Sequence, residues 1–168
     1  MTNEFFTEAI VLDKDPVGEA DSQIYLYTKE LGRITARAIS ARKIVSKLAS
    51  HLEPGNIIQV RLIQKNRFHA ADAVQTGTFP KNSDSLAVLR LVKDLTGEGQ
   101  QDPEMWELLK SGTATGISAL SVLGFDSQFA VCENCGNEKP SHFVFGRLEY
   151  YCMSCFSKCG SPAGFALS

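Results

Sequence analysis

Cys132 and Cys135 in VCENCG, and Cys152 and Cys155 in YCMSCF, form two CxxC pairs with sixteen residues between them. Each pair in a tight turn aims two sulfurs at one point, and the intervening segment is long enough to run out and return as a hairpin. That is the spacing of a tetrahedral four-thiolate zinc site. Four sulfurs leave no position for water or substrate, so the chemistry predicted is structural zinc. The competing readings are a redox CxxC, a disulfide pair, or a degenerate site that no longer holds metal. A redox motif is usually a single CxxC at a helix N-terminus after a strand, and two pairs at ribbon spacing argue against it. Cys159, four residues after Cys155, is the alternative fourth ligand, and a free thiol is the simpler reading.

The surrounding residues fit a zinc ribbon spanning 132–155. Gly136 follows the first pair, where positive φ is easily reached, and Phe143, Phe145, Leu148 and Tyr150 form an apolar alternating stretch broken by Gly146.

A second candidate chemistry is electrostatic. Between Lys29 and His69 stand nine basic residues, Lys29, Arg33, Arg37, Arg42, Lys43, Lys47, Arg61, Lys65 and Arg67, against Glu30 and Glu53 alone, although the whole chain carries a net charge of −2. Such segregation suits a polyanion, because each phosphate neutralised releases counterions. The plain alternative is a solvated face of ordinary strands.

The elements that must position these residues can be read from periodicity. FTEAIVLD, SQIYLYT, RITARAIS, NIIQVRLIQ and FHAADAVQT are five period-two runs separated by the turn signals PVGEAD, KELG and EPGN. Five short strands predict a small closed barrel of the oligonucleotide-binding (OB) arrangement over residues 1–78. In RITARAIS, Ile34, Ala36 and Ala38 share one face, while Arg33, Thr35 and Arg37 share the other and are expected to be free for a ligand. ARKIVSKLASHL is expected to form a loop or short helix that carries Arg42, Lys43 and Lys47 and plugs the barrel with Ile44, Leu48 and Leu52. Tyr25, Tyr27 and Phe68 are the candidate stacking platforms for bases. With so few, electrostatics should dominate, giving weak sequence preference and steep salt dependence.

Helical periodicity then takes over, predicting a small helical region within 79–168 that carries the ribbon, an α+β chain in all. Val88, Leu91, Val92 and Leu95 make one stripe; Asp102 caps a helix with Pro103 at its first position and Trp106 in its core; and Ile117, Leu120 and Leu123 make a third helix ending at Gly124. TGEGQQD reads as a flexible connection. His51, His69 and His142 read as bystanders. No Walker loop, GxGxxG after a strand, GxSxG elbow or HExxH occurs, so catalysis is not expected. The hydrophobic fraction of 43% and charged fraction of 21% are those of a soluble globular protein, and no run approaches a membrane span. The start lacks the basic region of a signal peptide, and a cytoplasmic, nucleoid-associated protein is expected, with no membrane partner.

Taken in order, TEAIVLDKDPVGEADSQIYLYTKELGRITARAISARK and LSVLGFDSQFAVCENCG leading to GRLEYYCMSC resemble the RecO family of bacterial recombination mediators. The likeness is carried by Gly18-Glu19, Asp21, the Thr28 to Gly32 turn, Ser40-Ala41-Arg42-Lys43 and the cysteine segment. It implies a non-enzymatic protein that binds single- and double-stranded DNA, anneals complementary strands, and works with RecR and the single-strand binding protein SSB to load RecA in RecF-pathway repair. It also implies zinc on Cys132, Cys135, Cys152 and Cys155, and phosphate contacts at Arg42, Lys43 and Lys47 above all. Residues 78 to 131 are shorter than the family's helical domain, and no SSB contact is carried over. Two other classes compete: a generic OB-fold plus zinc-ribbon module for RNA or ribosomes, and a thiol or metal enzyme or metal-responsive regulator.

Overall fold

The run Ala9-Ile10-Val11-Leu12 is buried at every position, which an alternating strand achieves only when both of its faces are covered. Ala9 and Val11 point into one apolar core and Ile10 and Leu12 into another. The first core is the inside of a barrel; the second lies between that barrel and the helices.

The computed structural model describes residues 2–43, 46–160 and 163–167. Strands β1 (Asn3–Val17), β2 (Asp21–Thr28), β3 (Gly32–Ala38), β4 (Asn56–Gln64) and β5 (Phe68–Thr78) close in the order β1-β2-β3-β5-β4. This is the OB fold. β1 serves two neighbours, pairing with β4 through Asn3–Ile10 and with β2 through Ala9–Val17, with a bulge between Val11 and Asp13. Ile24, Leu26, Ile34, Ala36, Ile58, Val60 and Leu62 fill the interior at alternate positions. Leu52 plugs it from the β3–β4 connection and Leu48 packs against the same core, but the described part of that connection is a series of turns, not a helix. Ile44, the third expected plug residue, lies outside the described residues.

Helices α1 (Ser83–Leu95), α2 (Pro103–Lys110) and α3 (Gly116–Val122) follow. Each begins where the sequence supplies a cap: Asn82 accepts from Ser85 N–H, Asp102 from Glu104 and Met105 with Pro103 next in line, and Thr115 forms a capping box with Ser118. Val88, Leu91 and Val92 of α1, Trp106 and Leu109 of α2, and Leu120 of α3 form one core with Ile10, Leu12 and Tyr27 of the barrel wall. Ile117, expected in that core, is 40% exposed; α3 is only two turns long, and its packed face is that of Ala119 and Leu120.

The last part is a three-stranded sheet, order β7-β6-β8, of β6 (His142–Val144), β7 (Glu149–Tyr151) and β8 (Gly164–Ala166), with α4 (Met153–Lys158) between β7 and β8. The hairpin was legible in the sequence; β8 was not. Phe165 of β8 lies so close to Gly116 that a Cβ there would sit 1.9 Å from its ring. Phe143 and Tyr150 reach from the hairpin into the helical core.

Two expectations fail where the helices meet the barrel. TGEGQQD is not a free connection. β5 pairs with β3 only at Ala36 and Arg37, leaving the β3 edge from Gly32 to Thr35 without a strand on that side, and residues 96–101 fill the gap. Gly99 N–H donates to Arg33 O at 2.7 Å, Thr35 N–H to Glu98 Oε1 at 2.9 Å, and Gln101 to Lys29 O at 3.1 Å. Gly32, at φ +65°, has no room for a side chain, since a Cβ would lie 1.9 Å from Gln100 O. Secondly, the outer face of β2 and β3 is only partly free. Tyr27 is buried against the helices, and burial pushes its phenol up to about 12. Tyr25 is half-buried under Lys93, whose Nζ lies 4.6 Å from the ring centroid.

Candidate metal centre and nucleic-acid interface

In the ribbon, the first CxxC is a tight turn in which Gly136 N–H donates to Cys132 O at 2.7 Å with Gly136 at φ +70°, and Cys132 N–H donates to Asn137 O at 2.8 Å. The second CxxC runs into α4, where Phe156 N–H donates to Cys152 O at 2.9 Å. Glu133 N–H donates to Tyr150 O at 2.9 Å and ties the first turn to β7. These bonds bring the sulfurs of Cys132, Cys135, Cys152 and Cys155 within 4.8 Å of one another. Cys135 and Cys152 Sγ are 3.7 Å apart, and a tetrahedron of sulfurs at about 2.3 Å from zinc has edges of roughly 3.8 Å.

The donor set is suited to a cation. The Ser154 hydroxyl and the Cys155 N–H hold the Cys152 thiol down to about 6. Asn137 N–H favours the Cys135 thiolate, yet the three neighbouring thiols outweigh it and push Cys135 up to about 12. Four anionic sulfurs this close repel one another, and a divalent metal removes that cost. Asn134 Nδ2 donates to Cys155 Sγ at 3.2 Å, and Ser154 Oγ lies 3.2 Å from Cys152 Sγ. Sequence reasoning passed over both residues, and their places inside the two CxxC motifs are the only signal for them. Cys159 lies against this cluster but is not one of the four converging residues.

The basic residues separate into groups. Arg33 Nε donates to Thr96 O at 2.8 Å, turned towards the segment that closes the barrel seam. Arg61 pairs with Glu4 at 2.8 Å on the outer face of β4, near the exposed Phe6 and Val74. Lys29 lies in the β2–β3 turn, and the remaining six, Arg37, Arg42, Lys43, Lys47, Lys65 and Arg67, collect around the loops at the other end of the barrel. Asp21 organises that end: its Oδ2 accepts from Arg37 Nη2 at 2.7 Å and its Oδ1 from Ser40 N–H at 2.7 Å. The Ser40 N–H and then the Arg37 guanidinium hold this carboxyl below the usual 3.8. Gly18, at φ +59°, turns the β1–β2 loop so that Ala20 O accepts from Arg42 N–H at 2.9 Å and Gly18 O from Arg42 Nη1 at 3.0 Å. The start of the β3–β4 connection is thus clamped to the β1–β2 loop, and Arg42, Lys43 and Lys47 are exposed along it. Lys65 and Arg67 are exposed in the β4–β5 loop. Among the described residues these five make no ion pair. Two clefts open here. One of about 560 Å³ is lined by Lys14, Ser22, Arg42 and Lys43, and one of about 380 Å³ by Gln23, Arg37, Arg67 and Phe68.

The family model described as "Recombination protein O N terminal" matches residues 1–76, the barrel up to the last two residues of β5. The barrel belongs to this family. The chain is 29% identical to the DNA repair protein RecO of Myxococcus xanthus over 160 residues, covering 79% of this chain and 65% of that protein. Against RecO of Thermodesulfovibrio yellowstonii the identity is 26%, covering 91% and 70%, and against RecO of Dehalococcoides mccartyi it is 30%, covering 77% and 52%. The chain spans about two thirds of the length of the first two of these curated relatives. The motif residues have local structural reasons. Gly18 and Gly32 are at positive φ, Asp21 clamps two loops, and Thr28 Oγ1 accepts from Leu31 N–H at 2.9 Å to close the β2–β3 turn. No helix is long and apolar enough to cross a membrane among the described residues.

Proposed function

We propose that this chain is a DNA repair and recombination mediator of RecO type. It binds single- and double-stranded DNA, anneals complementary strands and, with RecR and SSB, helps load RecA in the RecF pathway, without catalysing a reaction of its own. The observation that carries this reading is the cluster of Arg42, Lys43, Lys47, Lys65 and Arg67, exposed and without an ion pair among the described residues, on loops at one end of an OB barrel, with Arg37 beside them. An OB fold binds oligonucleotides through such loops and the β2–β3 face, and unpaired cations neutralise phosphates irrespective of sequence. In this proposal residues 1–78 contact DNA, while 79–168 cover the opposite part of the β2–β3 face and hold a structural zinc ion on the four cysteines.

The test is annealing of complementary oligonucleotides coated with the cognate SSB, with and without the chain, over a salt series. Salt-sensitive annealing is expected. Binding without annealing sinks the mediator reading, and a preference for RNA over DNA moves it to a generic OB-plus-ribbon module. The variant R42E/K43E should weaken binding to every DNA sequence and flatten the dependence of log affinity on log salt by about two. An unchanged affinity and slope would remove this end of the barrel from the interface.

A further inference from the structure

The cleft of about 380 Å³ beside the β4–β5 loop has a composition that phosphate binding does not explain. Arg37 and Arg67 supply its positive charge, but Phe68 forms part of its wall, Gln23 and Asn66 add amides, and Glu98 is the one acidic side chain lining it. A carboxylate in a cleft built only for phosphate would oppose its ligand.

Glu98 is held there from the helical region. Its Oε1 accepts from Thr35 N–H at 2.9 Å, while its Oε2 has no hydrogen-bond partner among the described residues. Gly99 N–H and Arg33 Nε fix the backbone on either side, at 2.7 and 2.8 Å. The free oxygen is an acceptor at a set position on the OB ligand face. Phe68 is braced by Phe5 at a centroid distance of 5.9 Å and an interplanar angle of 61°. Tyr25 and Tyr27 pack against the helical core, so of the three aromatic candidates Phe68 is the one at this cleft.

We propose that this cleft receives one unpaired nucleobase of a bound DNA strand. Phe68 stacks on the base, Glu98 accepts from an exocyclic amine, Gln23 and Asn66 meet its remaining edge, and Arg67 holds a flanking phosphate. Volume is adequate for a small ligand. Adenine and cytosine carry an exocyclic amine that thymine lacks, so the cleft favours cytosine over thymine. This rests on the DNA-binding reading above and names the part of the strand the site recognises.

The experiment measures binding of the full chain to three strands of equal length and phosphate count: oligo-dC, oligo-dT and an abasic strand. The expected order is dC, then dT, then abasic, with dC at least about fivefold tighter than abasic, as for stacking of one base. In E98Q the preference for dC over dT should disappear while abasic binding persists, because an amide both donates and accepts. In F68A the gap between dC and abasic should close. Equal binding of all three strands by the unaltered chain overturns the base site, as does an E98Q variant that binds all three more tightly by the same factor, which would make Glu98 a simple repulsive charge. dCMP alone should bind at least about a hundredfold more weakly than the dC strand; equal affinity would assign the cleft to a free nucleotide instead. If no strand binds at all, the DNA-binding reading itself has failed.

Discussion

The barrel and the ribbon are both small β structures, and they are stabilised by different means. The barrel closes on itself, leaves one short seam, and fills its interior with Ile24, Leu26, Ile34, Ile58, Val60 and Leu62. The ribbon has strands of three residues each, and three of the five buried residues in its own cluster among the described residues are Cys132, Cys152 and Cys155. Its larger apolar side chains, Phe143 and Tyr150, belong to the helical core instead. The barrel therefore relies on burial of its own side chains, whereas the ribbon has a core it shares and four convergent cysteines placed to hold a metal ion. A chain of this size can carry a second module with almost no interior of its own if a metal supplies the missing free energy.

The widest separation between the two should come from the cysteines. Structural zinc contributes roughly 10–16 kcal/mol of binding free energy in zinc-finger peptides, so Cys135→Ser or chelation should abolish metal content and expose the amides of the ribbon to hydrogen exchange. The barrel amides should stay protected. Simultaneous loss of protection in both would break the contrast. In the barrel, Leu62→Ala deletes a fully buried side chain and should cost about 2–5 kcal/mol, read as a fall in thermal midpoint with metal content unchanged.

Gly32→Ala tests the seam between them. A positive φ at a residue with a side chain costs about 1–3 kcal/mol, and the clash with Gln100 O adds to it. Detachment of residues 96–101 should appear as faster exchange at Gly99 N–H with little change in the ribbon. The smallest effect belongs to Lys93, whose Nζ lies 2.6 Å from Asp13 Oδ2 across the barrel–helix contact. Burial opposes its charge, but the Asp13 carboxylate outweighs burial and raises its pKa above 10.5. The folded value exceeds the unfolded one, so the stabilisation is fully present at neutral pH and is lost as pH rises beyond 10.5 through the folded value. Lys93→Ala should cost about 0.2–1 kcal/mol in this partly exposed pair, and the pH dependence of denaturant midpoints in that alkaline window should flatten.

The parts legible in the sequence are those with local causes. The cysteine spacing names the four convergent sulfurs, Asp102-Pro103 starts α2, and the alternation in RITARAIS separates Ile34, Ala36 and Ala38 from Arg33, Thr35 and Arg37. The parts that escaped depend on distant partners. Nothing near Tyr27 says that α1 and α2 will cover it, and nothing in TGEGQQD says that it will complete a β-sheet seam with residues about sixty positions earlier. Asp21 was part of a recognisable motif, but its hold on both Arg37 and Ser40 is visible only once two loops meet.

The amino-acid sequence by itself determined the four convergent cysteines, the inward face of each barrel strand and the helix caps, because spacing, pleat and capping act over a few residues. Only the tertiary structure decided which part of the OB face stays open and which cations face it. Those outcomes come from contacts between segments far apart in the chain, such as Arg33 with Thr96 and Lys110 with Glu8, and no local pattern encodes them.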